Sequence, residues 1–366
     1  MYWLRSFGLL LFSFHIHAAR IPLVSQCSEV SFRLAAVAEN VVWSPEPDLN
    51  DEGAILDFYY GGFSGTGPPV VGTETLRQNL TIEGMYCRPA VENQLGVLQV
   101  LVHGISYNKT MWSGLGFGGQ YDWHAYANNQ GYHTLAIDRV AHGTSTEFPD
   151  PLEVVQGPMI VETLHQVIAH ARTQPDGPLQ RTFDKVAIVA HSYGGWVATG
   201  LAIQHPDAVD ALVLTGFSNT PNHTVLATSK MRSAAMLSPE RFSHLPLGYI
   251  TTEEQGEREA NFYHPGGYDT AIPLIDYEYQ DTWSIGQTGN LDFAATSPVD
   301  YRGHYTWRLE RCEEILRDTR DFYPNVSRFG YFAPENTGHA LTLHYTAALT
   351  ARAVHDFLLS YFTESE

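Results

Sequence analysis

Four apolar segments in the middle of the chain restrict the fold more than any other feature of the sequence. They cover residues 96–102, 133–137, 185–190 and 210–215, and Val, Leu, Ile and Ala fill most of their positions. A strand has this composition when both of its faces are buried, as in a parallel sheet. Because helical patterns separate the segments, the sequence predicts an α/β fold with a mostly parallel central sheet flanked by helices.

The rest of the chain predicts further elements around this sheet. Helical spacing indicates helices at residues 151–171, 195–205, 307–319 and 346–362. A short strand is expected at residues 328–332. Glycine and proline are frequent in residues 26–94, for which we predict irregular structure with a loop at 58–69 and an edge strand at 79–87.

The strand and helix alternation stops between residues 218 and 296, where the sequence becomes polar and aromatic. A stretch of this length is too long for a simple loop in a compact domain, so we predict an inserted lid. The predicted organisation is a signal peptide at 1–19, an N-terminal segment with edge strands at 20–94, the first part of the core at 95–217, the lid at 218–296 and the second part of the core at 297–366.

A serine stands where the third apolar strand runs directly into a helix. Residues 190–195 read Ala-His-Ser-Tyr-Gly-Gly, which places Ser192 between small residues at a strand-to-helix turn. This is the pattern of a nucleophile elbow, whose sharp turn lifts the serine hydroxyl above the sheet. We therefore expect Ser192 to be a nucleophile and the amide of Tyr193 to be one donor of an oxyanion hole.

The second oxyanion donor is expected in the turn after the first apolar strand. Residues 102–105 read Val-His-Gly-Ile. Gly104 allows the backbone to bend, which makes the Ile105 amide the predicted donor and leaves His103 to brace the loop.

The general base of such a site is expected late in the chain, after the last strand. Residues 336–339 read Asn-Thr-Gly-His, and the glycine lets the loop carry the ring back over the sheet. His339 is the predicted base. His344 is the competing histidine, but it falls near the start of the final predicted helix.

These segments together resemble the secreted α/β-hydrolases that are abundant in filamentous fungi. The resemblance runs from about residue 75 onward. The matching residues are 98–104, Tyr107, Asn108, 131–139, Gly143, Ser145, 190–195 and 336–339. The resemblance implies an α/β-hydrolase fold, catalysis by Ser192 and His339, and a structural role for the turn at Asp138 and Arg139. Relatives of this kind include esterases, lipase-like enzymes and accessory hydrolases encoded beside fungal polyketide synthases.

The sequence departs from this family at the third catalytic residue, the carboxylate that orients the histidine of a Ser-His-acid triad. The order Ser, Asp or Glu, His requires a carboxylate between residues 192 and 339. Members of the family usually have an apolar strand there that ends in a turn with the acid, whereas residues 294–303 contain almost no apolar run. Asp300 is the predicted acid and Asp292 the second candidate. The alternative is that a segment present in relatives is missing from this chain.

The predicted function is a serine hydrolase that cleaves an ester or thioester of a bulky apolar small molecule through an acyl-enzyme. Tyr107 and Trp112, with the lid, are expected to shape the substrate pocket. One alternative is acyl transfer, release or cyclisation in secondary-metabolite (polyketide) biosynthesis. The other is a catalytically weak or non-catalytic binding protein without a proper acid. This mechanism needs no metal, and no cofactor is expected because no phosphate-binding glycine loop is found in the sequence.

Composition excludes several other classes of protein. A net charge of −19 repels phosphate backbones, so we expect no nucleic-acid partner. Three cysteines exclude a disulfide scaffold and a four-cysteine zinc site. After the N terminus no apolar run reaches the roughly 20 residues of a membrane-spanning helix, so no stable span is expected.

The N terminus predicts secretion or residence in the lumen of the secretory pathway. Arg5 precedes an apolar stretch at residues 7–14, and Ala18 and Ala19 follow, which is the order of a cleaved signal peptide. In that compartment Cys27 and Cys87 could form a disulfide, although three cysteines allow three single pairings. Four sequons predict glycans, at Asn79, Asn108, Asn222 and Asn325, of which Asn108 lies close to the predicted site.

Overall fold

A computed structural model describes residues 26–145, 149–217, 229–291, 294, 304–308 and 319–364. Its strands, in chain order, are β1 Gln26–Trp43, β2 Val70–Arg88, β3 Val97–Val102, β4 His133–Ile137, β5 Lys185–His191, β6 Ala211–Thr215, β7 Met231–Ser233, β8 Tyr249–Thr252, β9 Trp283–Ser284, β10 His304–Arg308 and β11 Arg328–Tyr331. Its α-helices are α1 Glu52–Ser64, α2 Trp123–Asn129, α3 Gly157–Thr173, α4 Tyr193–Gln204, α5 Ala234–Leu237, α6 Pro239–Phe242, α7 Gln255–Phe262, α8 Ile272–Glu278, α9 Ile285–Gly289 and α10 Ala347–Glu364.

Eight of these strands form one central sheet in the order β1-β2-β4-β3-β5-β6-β10-β11. From β4 to β11 the neighbours are parallel, while β2 pairs antiparallel with both β1 and β4. The predicted α/β-hydrolase fold with a mostly parallel sheet is thus confirmed. Because β3, β5 and β6 run in the same direction, the turns that follow them meet at one edge of the sheet, where ligands bind in open α/β sheets.

Apolar side chains cover both faces of the sheet. On one face α3 and α4 pack over β1, β3 and β5, and on the other face α2 and α10 pack over β3, β5 and β6. The strands β3, β4 and β6 are buried at every residue, which agrees with their nearly continuous apolar sequence. No helix in the described ranges is long and apolar enough to cross a membrane.

The prediction of irregular structure for residues 26–94 was wrong, except that the strand predicted at 79–87 is the last part of β2, where β1 rather than β2 is the edge strand. Strands β1 and β2 are long and pair along their whole lengths, and one face of this ribbon is buried in alternation. The predicted loop at 58–69 overlaps α1, which Asp51 caps by accepting a hydrogen bond from Gly53 N–H and which ends at Gly65 in the left-handed conformation. Ile55, Phe58 and Tyr59 are buried on one face of α1, so tertiary packing outweighs its glycine content.

Other predicted boundaries need smaller corrections. The helix predicted at 151–171 begins only at Gly157, while the short strand near 328–332 and the closing helix are confirmed as β11 and α10. Trp307 was predicted to start a helix but lies within β10, and residues 309–318 are outside the described ranges. Within the described part of the predicted lid, β7, β8 and β9 form a small antiparallel sheet that is accompanied by short helices.

The predicted disulfide between Cys27 and Cys87 is present, and it joins residues that face each other across β1 and β2. Replacing both cysteines by serine should lower the free energy of unfolding by about 4 kcal/mol, because the bridge closes a long loop in the unfolded chain. Denaturant unfolding measures this loss. Reductant should destabilise the wild type by a similar amount and leave the double variant unchanged; equal stability of the two proteins without reductant would contradict the prediction.

Candidate active site

Ser192 occupies the turn between β5 and α4 with a strained backbone. Its φ is +53° and its ψ is −118°, a conformation that non-glycine residues rarely adopt. The Ser192 N–H donates to the Thr215 carbonyl at the end of β6 over 2.8 Å. The side chain is half-buried at the carboxyl edge of the sheet. This is the geometry that the sequence 190–195 predicts for a nucleophile elbow.

Two glycines allow the surrounding backbone to approach this serine. A Cβ atom on Gly194 would lie 2.5 Å from the Val102 carbonyl oxygen, and one on Gly104 would lie 2.9 Å from the Ser192 Cβ. Any side chain at either position would therefore clash with fixed backbone or with the serine itself. The end of β3 touches the start of α4, and this contact requires glycine at both positions.

The loop after β3 runs directly past Ser192 and carries Ile105. Among the described residues, no acceptor receives a hydrogen bond from the Ile105 N–H. Tyr193 supplies the first residue of α4, so its N–H belongs to the positive end of that helix. Arg139 holds the loop from behind, because its guanidinium donates to the carbonyls of His103 and Gly104, each over 3.1 Å.

His103 braces this loop, as the sequence predicted. It is completely buried, its Nδ1 lies 2.8 Å from the Gly104 carbonyl and its Nε2 accepts a hydrogen bond from the Arg139 N–H. The turn after β4 is structural as well. Asp138 is buried and accepts hydrogen bonds from both the backbone N–H and the ammonium group of Lys109, each over 2.7 Å.

His339 and Ser192 are brought together from distant parts of the chain. The His339 Nε2 lies 2.9 Å from the Ser192 Oγ, which fits a hydroxyl that donates to an unprotonated nitrogen and assigns the ring proton to Nδ1. Burial, followed by the nearby charges of His344 and Arg258, lowers the pKa of His339 to about 4. The ring is therefore neutral at pH 7 and able to accept a proton.

His344, the competing candidate, instead supports the loop that carries His339. Its Nε2 accepts hydrogen bonds from the N–H groups of Gly338 and His264, while its Nδ1 lies 2.9 Å from the Ala340 carbonyl. A Cβ on Gly338 would lie 2.6 Å from the His264 nitrogen. The loop is thus fixed between His344 and the segment after α7.

A buried ion pair, which the sequence did not reveal, connects the lid region to the loop after β3. Arg258 of α7 and Asp276 of α8 are each 1% exposed and are 2.7 Å apart. Arg258 also donates to the Ser106 hydroxyl over 2.7 Å. The hydroxyls of Tyr107 and Tyr263 both donate to the second carboxylate oxygen of Asp276. Ser106 and Tyr107, which directly follow Ile105, are held by residues more than 150 positions later in the chain.

Asp276→Asn should lower the free energy of unfolding by about 3–5 kcal/mol, because it leaves the Arg258 guanidinium buried without a counter-charge. Denaturant unfolding at pH 7.5 measures the loss. Asp57→Asn is the matched control, since Asp57 is exposed on α1. A loss of less than 1 kcal/mol at Asp276 would contradict the importance of the ion pair.

The two aromatic residues predicted for the substrate pocket lie in different places. Tyr107 is buried beside the site, 6.2 Å from the His191 ring, and its hydroxyl is engaged by Asp276. Trp112 is completely buried on the far side of the sheet, where its ring contacts Trp123 edge to face. Trp112 is therefore a core residue and does not shape the pocket. Its spacing after the β3 turn could not distinguish these two locations.

The predicted acids Asp300 and Asp292 lie outside the described residues. Among the residues that the structure describes, no carboxylate is within hydrogen-bond distance of His339. The strand β10 begins at His304, which is aligned with Ala211 at the start of β6. Since the strands are parallel, β10 enters the sheet at the edge opposite to Ser192.

The predicted glycosylation sites differ in accessibility. Asn79 and Asn325 are exposed. The Asn108 side-chain nitrogen, which would carry a glycan, donates to the buried carboxylate of Asp281 over 3.0 Å. Asn222 lies outside the described ranges. In the folded chain Asn108 therefore serves the structure, as its position close to the site suggested.

A cavity of about 170 Å³ adjoins His339. Residues from the end of β6, the segment after α7 and the histidine loop line it, among them Gly216, Tyr263, His264, Pro334, Thr337 and His339. A cavity of about 150 Å³ in a protein core holds one benzene molecule, so this space accommodates a group of about that size.

Comparison with known proteins agrees with this architecture. The model of the alpha/beta hydrolase family matches residues 99–353. An uncharacterized protein of Mycobacterium tuberculosis is 27% identical over 217 residues, which are 58% of this chain and 56% of that protein. The chain thus spans little more than half the length of this relative. An AB hydrolase superfamily protein of Gibberella zeae is 31% identical over 124 residues, 34% of this chain and 36% of its own.

Solved structures show the same fold at low sequence identity. A putative hydrolase from Rickettsia typhi has a TM-score of 0.53 and 9% identity, and the match covers 91% of this chain and 99% of that one. A thermophilic esterase from Thermogutta terrifontis has a TM-score of 0.50 and 14% identity, covering 76% and 94%. The family match extends over well more than half of the 366 residues and includes both Ser192 and His339, and the chain belongs to the alpha/beta hydrolase family.

Proposed function

We propose that this protein is a serine hydrolase that cleaves an ester or thioester through an acyl-enzyme on Ser192. The observation that carries this proposal is the 2.9 Å distance between the Ser192 Oγ and the Nε2 of a neutral His339. A serine hydroxyl is a weak nucleophile unless an adjacent base removes its proton. The strained turn at Ser192 and the glycines around it support the same role.

The proposed reaction has two halves that use the same residues. In the first, His339 takes the proton of Ser192 as the oxygen attacks the carbonyl carbon, and the N–H groups of Ile105 and Tyr193 stabilise the oxyanion. Collapse of this intermediate breaks the bond to the alcohol or thiol, which receives the proton from His339. In the second half, His339 takes a proton from water as the water oxygen attacks the acyl carbon; the bond to the Ser192 oxygen then breaks, that oxygen receives the proton from His339, and the acid leaves as product.

The volume of the cavity beside His339 limits the size of the substrate group that fits there. It accommodates one group of about the size of a benzene ring, so we propose that one side of the scissile bond is a ring or a short chain. A panel of p-nitrophenyl esters from acetate to decanoate, with benzoate added, tests the function. A burst of p-nitrophenol equivalent to the enzyme, followed by slower turnover, is expected for at least one member. No burst and no turnover across the panel would contradict the proposal.

The proposal requires Ser192 and His339 but no third residue. Asp300 stays a prediction for the acid, with Asp292 second, and neither is supported by a described contact. In serine proteases loss of the aspartate lowers kcat by about 10⁴, so a pair without it would be slow. This keeps a weakly catalytic protein as the second candidate, because the described surroundings of His339 contain no carboxylate.

Between pH 8 and pH 6 the kcat/KM for the best ester should vary by less than about twofold. A histidine with a pKa of about 4 is almost wholly neutral over this range and loses its function as a base only at lower pH. A carboxylate at Nδ1 would stabilise the charged ring and raise this pKa. An acid limb with a midpoint near 6.5 would therefore reveal such a partner, and Asp300→Asn and Asp292→Asn would then identify it.

We also propose a secretory-pathway location for this enzyme. The disulfide and the exposed sequons at Asn79 and Asn325 support that compartment, as does the signal-like sequence at residues 1–19. An acceptor other than water, as in the release or cyclisation of a polyketide intermediate, would use the same acyl-enzyme. Product analysis with candidate acceptors distinguishes this use of Ser192 from hydrolysis.

A further inference from the structure

A second group of chemically active side chains lies at the opposite end of α4 from Ser192. Glu162 and His165 are one turn apart on α3, and His205 follows the last residue of α4. The Glu162 Oε2 lies 3.7 Å from the His165 Nδ1 and 3.7 Å from the His205 Nε2. The three donor atoms are within 4.8 Å of one another. Since α4 rises about 1.5 Å per residue, this cluster is roughly 18 Å from Ser192.

The two separations from the carboxylate are close to those between ligands of one metal ion. Zinc binds histidine nitrogen at about 2.0–2.1 Å and carboxylate oxygen at about 2.0–2.2 Å, so neighbouring ligands of a tetrahedral ion are about 3.4 Å apart. At 3.7 Å the carboxylate is too far from either ring for a hydrogen bond, and a small shift of the carboxylate with rotation of one ring lets all three side chains share an ion. The three side chains are 22–33% exposed, which gives an ion access and leaves room for a water ligand.

The hydrogen bonds around the cluster leave the ligand atoms available. The Glu162 Oε1 accepts a hydrogen bond from the Gln166 amide over 2.6 Å, which fixes the carboxylate with Oε2 toward the histidines. The His165 Nδ1 is buried and has no hydrogen-bond partner. Outer contacts of this kind commonly orient the ligands of metal sites in proteins. A buried nitrogen without a hydrogen-bond partner, beside a carboxylate oxygen, is the observation that points to a cation ligand.

We propose that Glu162, His165 and His205 form a binding site for one divalent transition-metal ion of the zinc type. Two imidazoles and one carboxylate are the ligand set that such ions prefer, whereas Mg²⁺ and Ca²⁺ require more oxygen ligands. The ion clips the middle of α3 to the end of α4. The rings of His165 and His205 are stacked, with centroids 3.6 Å apart and planes inclined by 11°. A metal lies in the plane of each imidazole that binds it, so binding rotates at least one ring out of the stack.

Calorimetric titration of the full-length, untagged, chelator-treated protein with ZnCl₂ at pH 7.5 tests the site. The wild type should bind one equivalent tightly, and Glu162→Gln, His165→Ala and His205→Ala should each weaken that binding at least tenfold. His244→Ala is the matched control, since His244 is exposed and outside the cluster. Zinc should also raise the Tm of the wild type and of the control, because an ion that binds only the folded state stabilises it.

Two controls distinguish loss of this zinc site from unfolding of a variant and from unspecific binding of cations. Equal Tm values of all variants in the presence of EDTA establish that each is folded, and MgCl₂ should give no tight binding. Three variants that bind zinc as tightly as the wild type would overturn the proposal, as would a wild type that shows no saturable single site. The result does not depend on catalysis at Ser192, because its readouts are binding heat and thermal stability.

Discussion

Ser192→Ala is expected to lower the rate of ester cleavage by about two orders of magnitude and to abolish the burst of p-nitrophenol. In a serine protease, loss of the serine lowers kcat by about 2 × 10⁶ and loss of the aspartate alone by about 3 × 10⁴. If His339 acts without a carboxylate, the second factor is already absent, and the ratio of the two leaves about 10² for the serine. We expect the residual rate to come from the proposed oxyanion donors, Ile105 and Tyr193, and from substrate binding.

The size of the rate loss in Ser192→Ala also indicates whether a carboxylate assists His339. A loss near 10⁶ would mean that a carboxylate outside the described residues completes a triad. The Tm should remain nearly unchanged in Ser192→Ala, since alanine keeps the Cβ and adopts the same strained backbone. Ser243→Ala, at an exposed serine, is the matched control and should retain full activity. Unchanged turnover in Ser192→Ala would show that hydrolysis takes place elsewhere.

The second large effect is a steep loss of stability below pH 6.5. Several buried histidines are neutral because burial disfavours the charged ring and one ring nitrogen accepts a hydrogen bond from an N–H, while the other ring nitrogen faces a backbone carbonyl. This pattern holds for His103, His142, His344 and His355. Burial lowers the pKa of His344 and of His355 to about 4, and burial followed by the Arg139 charge lowers the pKa of the other two well below 6.5.

The direction of this pH dependence follows from the number of protons that the folded and unfolded states bind. Below pH 6.5 these histidines bind protons in the unfolded chain but not in the folded protein, so the free energy of unfolding decreases as the pH falls. Each such histidine contributes about 1.4 kcal/mol per pH unit, and the four together contribute about 5 kcal/mol per unit. Because domains are stable by only about 5–15 kcal/mol, we expect cooperative unfolding before the pH reaches 4.

Urea unfolding at pH 7.5, 6.5, 6.0 and 5.5 measures this dependence. His244→Ala should show the same slope as the wild type, since His244 is exposed and is not one of the four buried histidines. A free energy of unfolding that changes by less than 1 kcal/mol between pH 7.5 and pH 5.5 would contradict the prediction. The pH–rate profile of the enzyme is best measured above pH 6 for this reason.

The sequence predicted the core of the fold and the meeting of Ser192 with His339, because both depend on local signals. Apolar runs indicate buried strands, and the small residues around Ser192 indicate a tight turn from a strand into a helix. The N-terminal ribbon was missed because its stability depends on pairing between β1 and β2 and on packing against α3, which composition does not show. Trp112 was misplaced because an aromatic residue after a strand can face either side of the sheet.

The ion pair of Arg258 and Asp276 could not be predicted from the sequence for a similar reason. Neither residue belongs to a motif, and the loop at Ser106 that they hold is more than 150 positions away in the chain. Such long-range polar contacts become visible only when the lid region is placed over the sheet. The segment expected to carry the catalytic acid departs from the family pattern, so the sequence left two candidates, Asp300 and Asp292. Both lie outside the described residues.

Labelling with a fluorophosphonate probe, followed by mass spectrometry of the digested protein, tests the central claim most directly. The probe phosphonylates a serine only where a base activates its hydroxyl. We predict one adduct per molecule, located on the peptide that contains Ser192, with strongly reduced labelling in His339→Ala and none in Ser192→Ala. Folded wild-type protein that remains unlabelled at Ser192, or that labels equally in Ser192→Ala, would contradict the assignment of Ser192 as the nucleophile.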